Sequence, residues 1–377
     1  MELDVTLKES LARKLWLLGF LPQFDAKCYT PYGIEENRHE MTDIDVLGFR
    51  MDDFYRAQRV AVDCKTGKTS AINRALWLKG LMEERSVSTG FVISQKPIAL
   101  DHRQATLNWG VTLLEEREID DFFRQTCGVD TVSLKCLELE HWLRFRRDVP
   151  NANRIKDLLD YINYFFWGDP ATRSLRYVLM ETRAVRDTLT PTQRLHLALV
   201  ADCVCLFATS FLQIVSSIIS VNLVVDNESR LDELLKVHIY GGRELYDYMN
   251  RVRKTVLDLK RAETPALFST ETPDALSLPE WPAFLSLVRA GLEFPREISH
   301  TPRLLRLIAI DRLLVGNDVD FRKVLPQCSL RSLQMAADIV GYFCTATGLH
   351  PGFAEAIRNE CDRFMLSMNN RSDEASP

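Results

Sequence analysis

Two neighbouring segments, TDIDVLGFR at residues 42–50 and AQRVAVDCK at residues 57–65, decide the fold of the N-terminal third of the chain. Apolar and polar residues alternate in both segments, which is typical of β-strands because successive side chains point to opposite faces. The polar turn around residues 52–53 predicts that the two strands form a hairpin. The alternation places one acid, Asp45, near the start of the first strand and another, Asp63, near the end of the second.

The segments on either side of this hairpin predict helices packed on a sheet. Leucines at helical spacing before Gly19 indicate a first helix, and a weak alternation at residues 24–30 indicates a first strand. Further along, the pattern predicts a helix at 71–84, a strand at 90–94, a helix at 99–109 and a strand at 111–114. The predicted fold class for residues 1–120 is therefore α+β or α/β, a mixed sheet flanked by helices.

The character of the chain changes at about residue 120, where strand patterns nearly vanish and helical patterns take over. We expect residues 121–368 to form a larger all-α C-terminal domain whose role the sequence does not assign. Residues 369–377 are polar, and we expect them to be a disordered tail.

One helical segment, residues 203–225, has no charged side chain and is long enough to span a membrane. Polar residues such as Gln213 interrupt it, and its neighbours have the amphipathic pattern of helices in globular proteins. The favoured interpretation is the central helix of a bundle, with a membrane span as the alternative. Thr190 and Pro191 predict where this helix begins.

Composition limits the function classes. The 377 residues carry a net charge of −5, which excludes a strongly basic protein that coats nucleic acid through its overall charge. The nine cysteines have no zinc-site spacing, so we expect buried free thiols in a reducing compartment. The N-terminus is acidic where a signal peptide would be basic, and we expect a cytoplasmic protein.

The strongest chemical signal is Asp45 on one strand followed by Asp63, Cys64 and Lys65 on the next. Two acids on adjacent strands can hold a divalent cation through oxygen ligands, and the backbone carbonyl of Cys64 can add a further ligand. Lys65 lies two residues after Asp63 and therefore shares its strand face. This arrangement suits metal-assisted hydrolysis of a phosphodiester.

These residues, in the order helix, three strands, helix, strand, resemble the PD-(D/E)xK nucleases, which share the restriction-endonuclease fold. The likeness covers residues 5–118 and is nearest to the Mrr-like branch, with Ile44 replacing the proline that precedes the first acid. The resemblance implies catalytic roles for Asp45, Asp63 and Lys65. It also implies a role for Glu9, because an acid of the first helix often joins the site in that branch.

Several of these residues have a simpler interpretation. Glu9 forms a capping-box pattern with Thr6, which would give it a purely structural role. Asp43 shares the strand face of Asp45 and could replace it as a ligand, and Glu36 and Glu40 are further acids near the site.

Two cations after the motif, Lys68 and Arg74, could contact phosphates, because an acidic protein needs a local cationic groove to hold nucleic acid. The alternative for both is a solvated helix face.

The sequence thus predicts a nuclease that depends on Mg²⁺ or Mn²⁺. The resemblance implies an endonuclease acting on DNA in preference to RNA, with restriction or defence as the biological setting. The helical domain could bind a protein partner or a second copy of the chain, and a membrane is not expected to be a partner. The alternative is a non-catalytic scaffold that keeps the nuclease fold as a binding module.

Overall fold

The N-terminal part of the chain is built on a five-stranded mixed sheet with the strand order β1-β2-β3-β4-β5. The computed structural model describes residues 2–29, 39–65, 70–127, 133–148, 153–221, 228–263 and 276–369. β2 runs antiparallel to both β1 and β3, and β4 and β5 continue the sheet from β3 in parallel. The strands are β1 (Leu21–Tyr29), β2 (Glu40–Met51), β3 (Ala57–Lys65), β4 (Thr89–Ser94) and β5 (Val111–Glu115). The predicted mixed sheet and its order of elements are confirmed.

Three helices accompany this sheet. They are α1 (Glu2–Leu17), α2 (Ala71–Arg85) and α3 (Leu100–Leu107). The helix α1 begins before Thr6, so the prediction of Thr6 as its N-cap was wrong.

After β5 the described residues form helices and connecting loops, with no further strand among them. The α-helices are α4 (Ile119–Cys127), α5 (Leu139–Arg147), α6 (Asn153–Asp160), α7 (Ala171–Val185), α8 (Arg194–Ser220), α9 (Glu228–Ile239), α10 (Arg243–Glu263), α11 (Trp281–Glu293), α12 (Pro295–Ser299), α13 (Thr301–Leu307), α14 (Phe321–Val324), α15 (Leu330–Thr347) and α16 (Pro351–Asn369). Two π-helical segments continue α6 and α13, at Tyr161–Phe165 and Ile308–Val315. The expected tail beyond Asn369 lies outside the described residues.

The apolar segment forms the central helix α8. It begins at Arg194, three residues after the predicted start at Pro191, because residues 191–193 form a turn. By length and composition this helix could cross a membrane, with a mean hydropathy of 2.0, but 94% of the apolar window is buried by the rest of the chain. Its burial agrees with the interpretation of a bundle core, because α7, α13 and the π-helical segment at Ile308–Val315 pack around it.

The sheet and the helical part share one continuous hydrophobic core, and hydrogen bonds join them. The Trp16 indole of α1 donates to the carbonyl of Val324 at 3.0 Å, and the Arg303 guanidinium donates to the carbonyl of Trp16 at 2.8 Å. Burial lowers the pKa of Arg303 to about 10. Arg59 of β3 donates to the Gln213 side chain of α8 at 3.2 Å. The first helix and the sheet are thus fastened to the helical part.

The described cysteine side chains are free and buried, as the sequence predicts. Burial raises the pKa of Cys28 and of Cys328 to about 11, so these thiols are not activated nucleophiles. The side chain of Cys127 lies outside the described residues.

A buried ion pair joins α8 to α13. The Arg306 guanidinium lies 2.7 Å from the carboxylate of Asp202, and both side chains are almost fully buried. The same guanidinium stacks on Trp142, 4.1 Å from the ring centroid. Burial raises the pKa of Asp202, and the charge of Arg306 opposes that rise.

We predict that Asp202→Leu lowers the free energy of unfolding by about 3–5 kcal/mol, because it leaves a buried guanidinium without its counter-charge. The double variant Asp202→Leu/Arg306→Met removes both charges and should recover at least half of that loss. Urea denaturation monitored by circular dichroism measures both. Equal losses in the single and double variants would contradict a role for the unpaired charge.

Candidate active site

Three acids lie side by side across the first three strands. Val46 pairs with Val62, so one residue earlier in β2 Asp45 is level with Asp63 of β3. The β1–β2 register places Asp25 level with Asp45 on the other side. Both Asp45 and Asp63 are buried, at 8% and 3% exposure. The hairpin therefore brings together the two acids that the sequence predicted as partners and adds a third from β1.

A lysine of the first helix lies between two of these acids. The Lys8 ammonium is 2.8 Å from a carboxylate oxygen of Asp25 and 2.8 Å from one of Asp45. Burial alone would lower the pKa of Lys8, but the hydrogen bonds to the two carboxylates outweigh it and raise that pKa. Lys8 is therefore a permanent cation at physiological pH, and it compensates the charge of the buried acids.

Asp45 has a second partner in the neighbouring strand. Its other carboxylate oxygen accepts a hydrogen bond from the backbone amide of Cys64 at 2.7 Å. Burial raises the pKa of Asp45, the Lys8 and Cys64 bonds lower it, and the nearby charge of Asp63 raises it further. The carboxylate is thus held in one orientation, while burial makes its negative charge costly.

Asp63 is held by an arginine of α2. The Arg74 guanidinium donates from Nε to one Asp63 oxygen at 2.9 Å and from Nη2 to the other oxygen. Arg74 also stacks on Trp77, with its guanidinium carbon 4.0 Å from the ring centroid. A bidentate pair of this kind is among the stronger charge-assisted contacts in proteins. Arg74 is therefore engaged with the acid in this structure, and its expected contact with a phosphate stays a prediction.

Asp25 has an unusual backbone. Its φ angle is +48°, in the left-handed region that residues other than glycine adopt at an energetic cost. Aspartate is among the residues that tolerate this region best. Strain of this kind costs about 1–3 kcal/mol and is concentrated at functional sites. The Asp25 carboxylate contacts Lys8, so this left-handed backbone carries one of the two acids beside that lysine.

The acids also form the one group of metal-ligand type found among the described residues. Asp25, Asp43 and Asp45 each offer a carboxylate oxygen, and these oxygens lie within 4.8 Å of one another. Carboxylate oxygens are the donors that Mg²⁺ and Mn²⁺ prefer. The donor type and spacing therefore fit a divalent cation, on the condition that it replaces the Lys8 ammonium between Asp25 and Asp45.

The other residues predicted for the site are Glu9, Cys64 and Lys65. Glu9 does not join the acidic group, because its carboxylate accepts from the backbone amide of Leu139 at 2.9 Å and pairs with Arg13 at 3.3 Å. Cys64 contacts Asp45 through its amide, and a ligand role for its carbonyl stays a prediction. The side chain of Lys65 lies outside the described residues.

Among the other acids and cations named from the sequence, the structure describes Glu40 and Asp43. Glu40 pairs with Lys27 at the edge of the sheet. Lys68 and Glu36 lie outside the described residues. Asp43 belongs to the acidic group, as the sequence allowed.

Sequence reasoning missed Lys8 and Asp25. Lys8 stands three, four and seven residues before Leu11, Ala12 and Leu15, all of which are buried, so it lies on the buried face of its helix. A lysine on such a face implies a buried acid nearby. Asp25 stands in a strand that is otherwise mostly buried, which was the corresponding signal in β1.

Comparison with protein-family models, with curated proteins and with solved structures found no match to this chain.

We predict that Lys8→Met lowers the free energy of unfolding by about 3 kcal/mol at pH 7, because the buried carboxylate of Asp45 and the half-buried one of Asp25 lose their counter-charge. The loss should shrink as the pH falls toward 4. Lys8 lowers the pKa of Asp45, so that pKa rises further without it. A carboxyl whose pKa is higher in the folded state than in the unfolded chain costs stability only where it is ionised.

Urea denaturation at several pH values measures this effect. The matched control is Lys14→Met on the same helix, whose partner Asp120 is exposed, and it should cost less than about 1 kcal/mol. A loss in Lys8→Met that does not change between pH 4 and pH 7 would contradict the charge argument.

Proposed function

We propose that this protein is a metal-dependent phosphodiesterase that cleaves nucleic acid, with its active site at the acidic edge of β1, β2 and β3. The observation that supports the proposal most directly is the group of three acids, Asp25, Asp43 and Asp45, whose carboxylate oxygens lie within 4.8 Å of one another. Asp45 is buried, Asp25 is half-buried and Asp43 is exposed, so the group combines a buried carboxylate with a face that is open to solvent. DNA in preference to RNA, and restriction or defence, follow only from the resemblance to PD-(D/E)xK nucleases.

The chain's own residues divide the work as follows. Asp45, with Asp25 and Asp43 beside it, would hold the divalent cation, and Asp63 stands level with Asp45 in the next strand. A bound Mg²⁺ or Mn²⁺ would supply Lewis-acid stabilisation of a phosphate and a more acidic water. The Cys64 amide fixes the orientation of Asp45. Lys65, two residues after Asp63, is the expected cation for the phosphate oxygens.

A second candidate function has an observation of its own. Asp63 is already neutralised by Arg74 through two hydrogen bonds, and Asp45 by Lys8 and the Cys64 amide. A site compensated from within is stable without a metal, which favours a non-catalytic scaffold that keeps the fold as a binding module. The two candidates differ in whether a divalent cation can displace the internal cations.

We predict that the full-length protein cleaves DNA in the presence of Mg²⁺ or Mn²⁺ and that Asp45→Asn and Lys65→Ala each reduce the rate at least 100-fold. Asp45→Asn keeps the shape of the side chain and removes its charge. Cleavage of single-stranded and double-stranded DNA and RNA, with and without EDTA, measures the activity and its substrate class.

The control for cleavage is Asp101→Asn, which changes an exposed acid in the first turn of α3 and should leave the rate unchanged. Absence of metal-dependent cleavage on all four substrates would favour the scaffold. Cleavage that survives in both site variants would point to a contaminating nuclease.

We also predict that Lys8→Met binds Mn²⁺ at least tenfold more tightly than the unaltered protein, because the ammonium no longer competes for Asp25 and Asp45. Isothermal titration calorimetry measures this independently of cleavage, and Lys14→Met is again the matched control. Equal affinity in both proteins would show that the metal does not use these two carboxylates.

A further inference from the structure

The long helix α10 carries an apolar face that the rest of the described chain leaves exposed. Five residues form it, and we call them the α10 stripe. Their exposed fractions are 47% for Leu245, 57% for Tyr248, 45% for Val252, 44% for Val256 and 62% for Leu259. Their spacings of three, four, four and three residues keep them on one side of a helix. Exposed apolar rows of this length mark interaction surfaces.

A different face of α10 fastens the helix to the described part of the protein. Tyr246 is buried, and its ring lies 5.9 Å from that of Tyr240. Asn250 accepts a hydrogen bond from the backbone amide of Leu276 at 2.6 Å. At about 100° of rotation per residue, the stripe is centred roughly 120° around the helix from this anchored face.

The order of the stripe is symmetric about its middle residue. From Val252 the next members stand four residues away in both directions, at Tyr248 and Val256, and the last stand three residues further, at Leu245 and Leu259. When two such helices pack antiparallel about a two-fold axis, Val252 meets Val252, Tyr248 meets Val256 and Leu245 meets Leu259. A two-fold interface requires this kind of self-complementary surface.

We propose that the α10 stripe is the interface of a homodimer, in which α10 of one copy packs antiparallel on α10 of a second copy with Val252 at the two-fold axis. The proposal depends on the helical part of the protein and is independent of the chemistry at the sheet.

The area agrees with such a dimer. Five apolar side chains exposed to about half of their surface present on the order of 500 Å² per copy, so a pair would bury about 1,000 Å². This is close to the lower bound for a specific protein interface, which predicts a dimer in the micromolar range.

The charges on α10 argue against a membrane as the occupant. Outside the stripe the solvated surface of α10 carries both signs, with Glu244, Asp247, Asp258 and Arg251, and with Lys254 on the side opposite the stripe. Helices that lie on membrane surfaces carry mainly lysine and arginine on their polar face. A mixed face instead remains in water at the rim of a protein interface.

Analytical ultracentrifugation of the full-length protein between about 1 and 100 µM tests the proposal. We expect a monomer–dimer equilibrium whose dissociation constant rises at least tenfold in Val252→Glu. The matched control is Lys254→Glu, which changes more charge on the same helix but faces away from the stripe, and it should leave the equilibrium unchanged. Circular dichroism checks that each variant is folded.

A cysteine cross-link tests the register. Under mild oxidation Val252→Cys should form a covalent dimer, because the two residues meet on the axis, whereas Lys254→Cys should not. The native cysteines described by the structure are buried and give little background. A monomer at every concentration, a dimer unaffected by Val252→Glu, a Val252→Cys protein that does not cross-link, or binding of the monomer to vesicles through the stripe would each overturn the proposal.

Discussion

The contact of Lys8 with Asp25 and Asp45 is the interaction on which the N-terminal part of this protein depends. Carboxylates on adjacent strands repel one another, and the buried Asp45 also loses hydration, so a cation beside them stabilises the arrangement. The first helix supplies that cation, which joins α1 to β1 and β2 by charge as well as by apolar packing. Arg74 does the same for Asp63 from α2. The site and the stability of the sheet are therefore parts of one charge arrangement.

The same charge arrangement raises the question of whether a metal ion can replace an internal cation at this site. In an active enzyme, Lys8 and Arg74 would hold the carboxylates in place, and a metal ion would replace one of these two cations. In a scaffold, Lys8 and Arg74 would keep the same carboxylate partners at all times. The group of carboxylate oxygens of Asp25, Asp43 and Asp45 favours the first view, because it offers the donors that a divalent cation prefers. The bidentate Asp63–Arg74 pair is the strongest argument for the second view.

The sheet was predictable because alternating apolar and polar residues indicate its strands and runs of polar residues indicate its turns. β3 was predicted at its full extent of Ala57–Lys65, and β1 and β2 were placed to within a few residues. The start of α1 was not, since the Thr6–Glu9 pattern imitates a cap within a helix that begins earlier. The packing of Trp16 and Arg303 across the two parts could not be foreseen, because contacts over such a separation leave no periodic signal.

The site was predictable in part. Adjacent strands bring Asp45 and Asp63 level with each other, and period-two alternation is sufficient to see this. Lys8, Asp25 and Arg74 were missed as partners of these acids because their roles depend on three-dimensional register and on which cation reaches which carboxylate. Glu9 was assigned by likeness to a family, and its carboxylate instead contacts the start of α5.

The most direct test of the account is a crystal structure of the protein grown with Mn²⁺, with the ion located by its anomalous scattering. The account predicts an ion about 2.0–2.6 Å from carboxylate oxygens of Asp45 and of Asp25 or Asp43, with the Lys8 ammonium moved out from between Asp25 and Asp45. A structure at saturating Mn²⁺ that shows no ion there, with Lys8 still bound to both carboxylates, would contradict it.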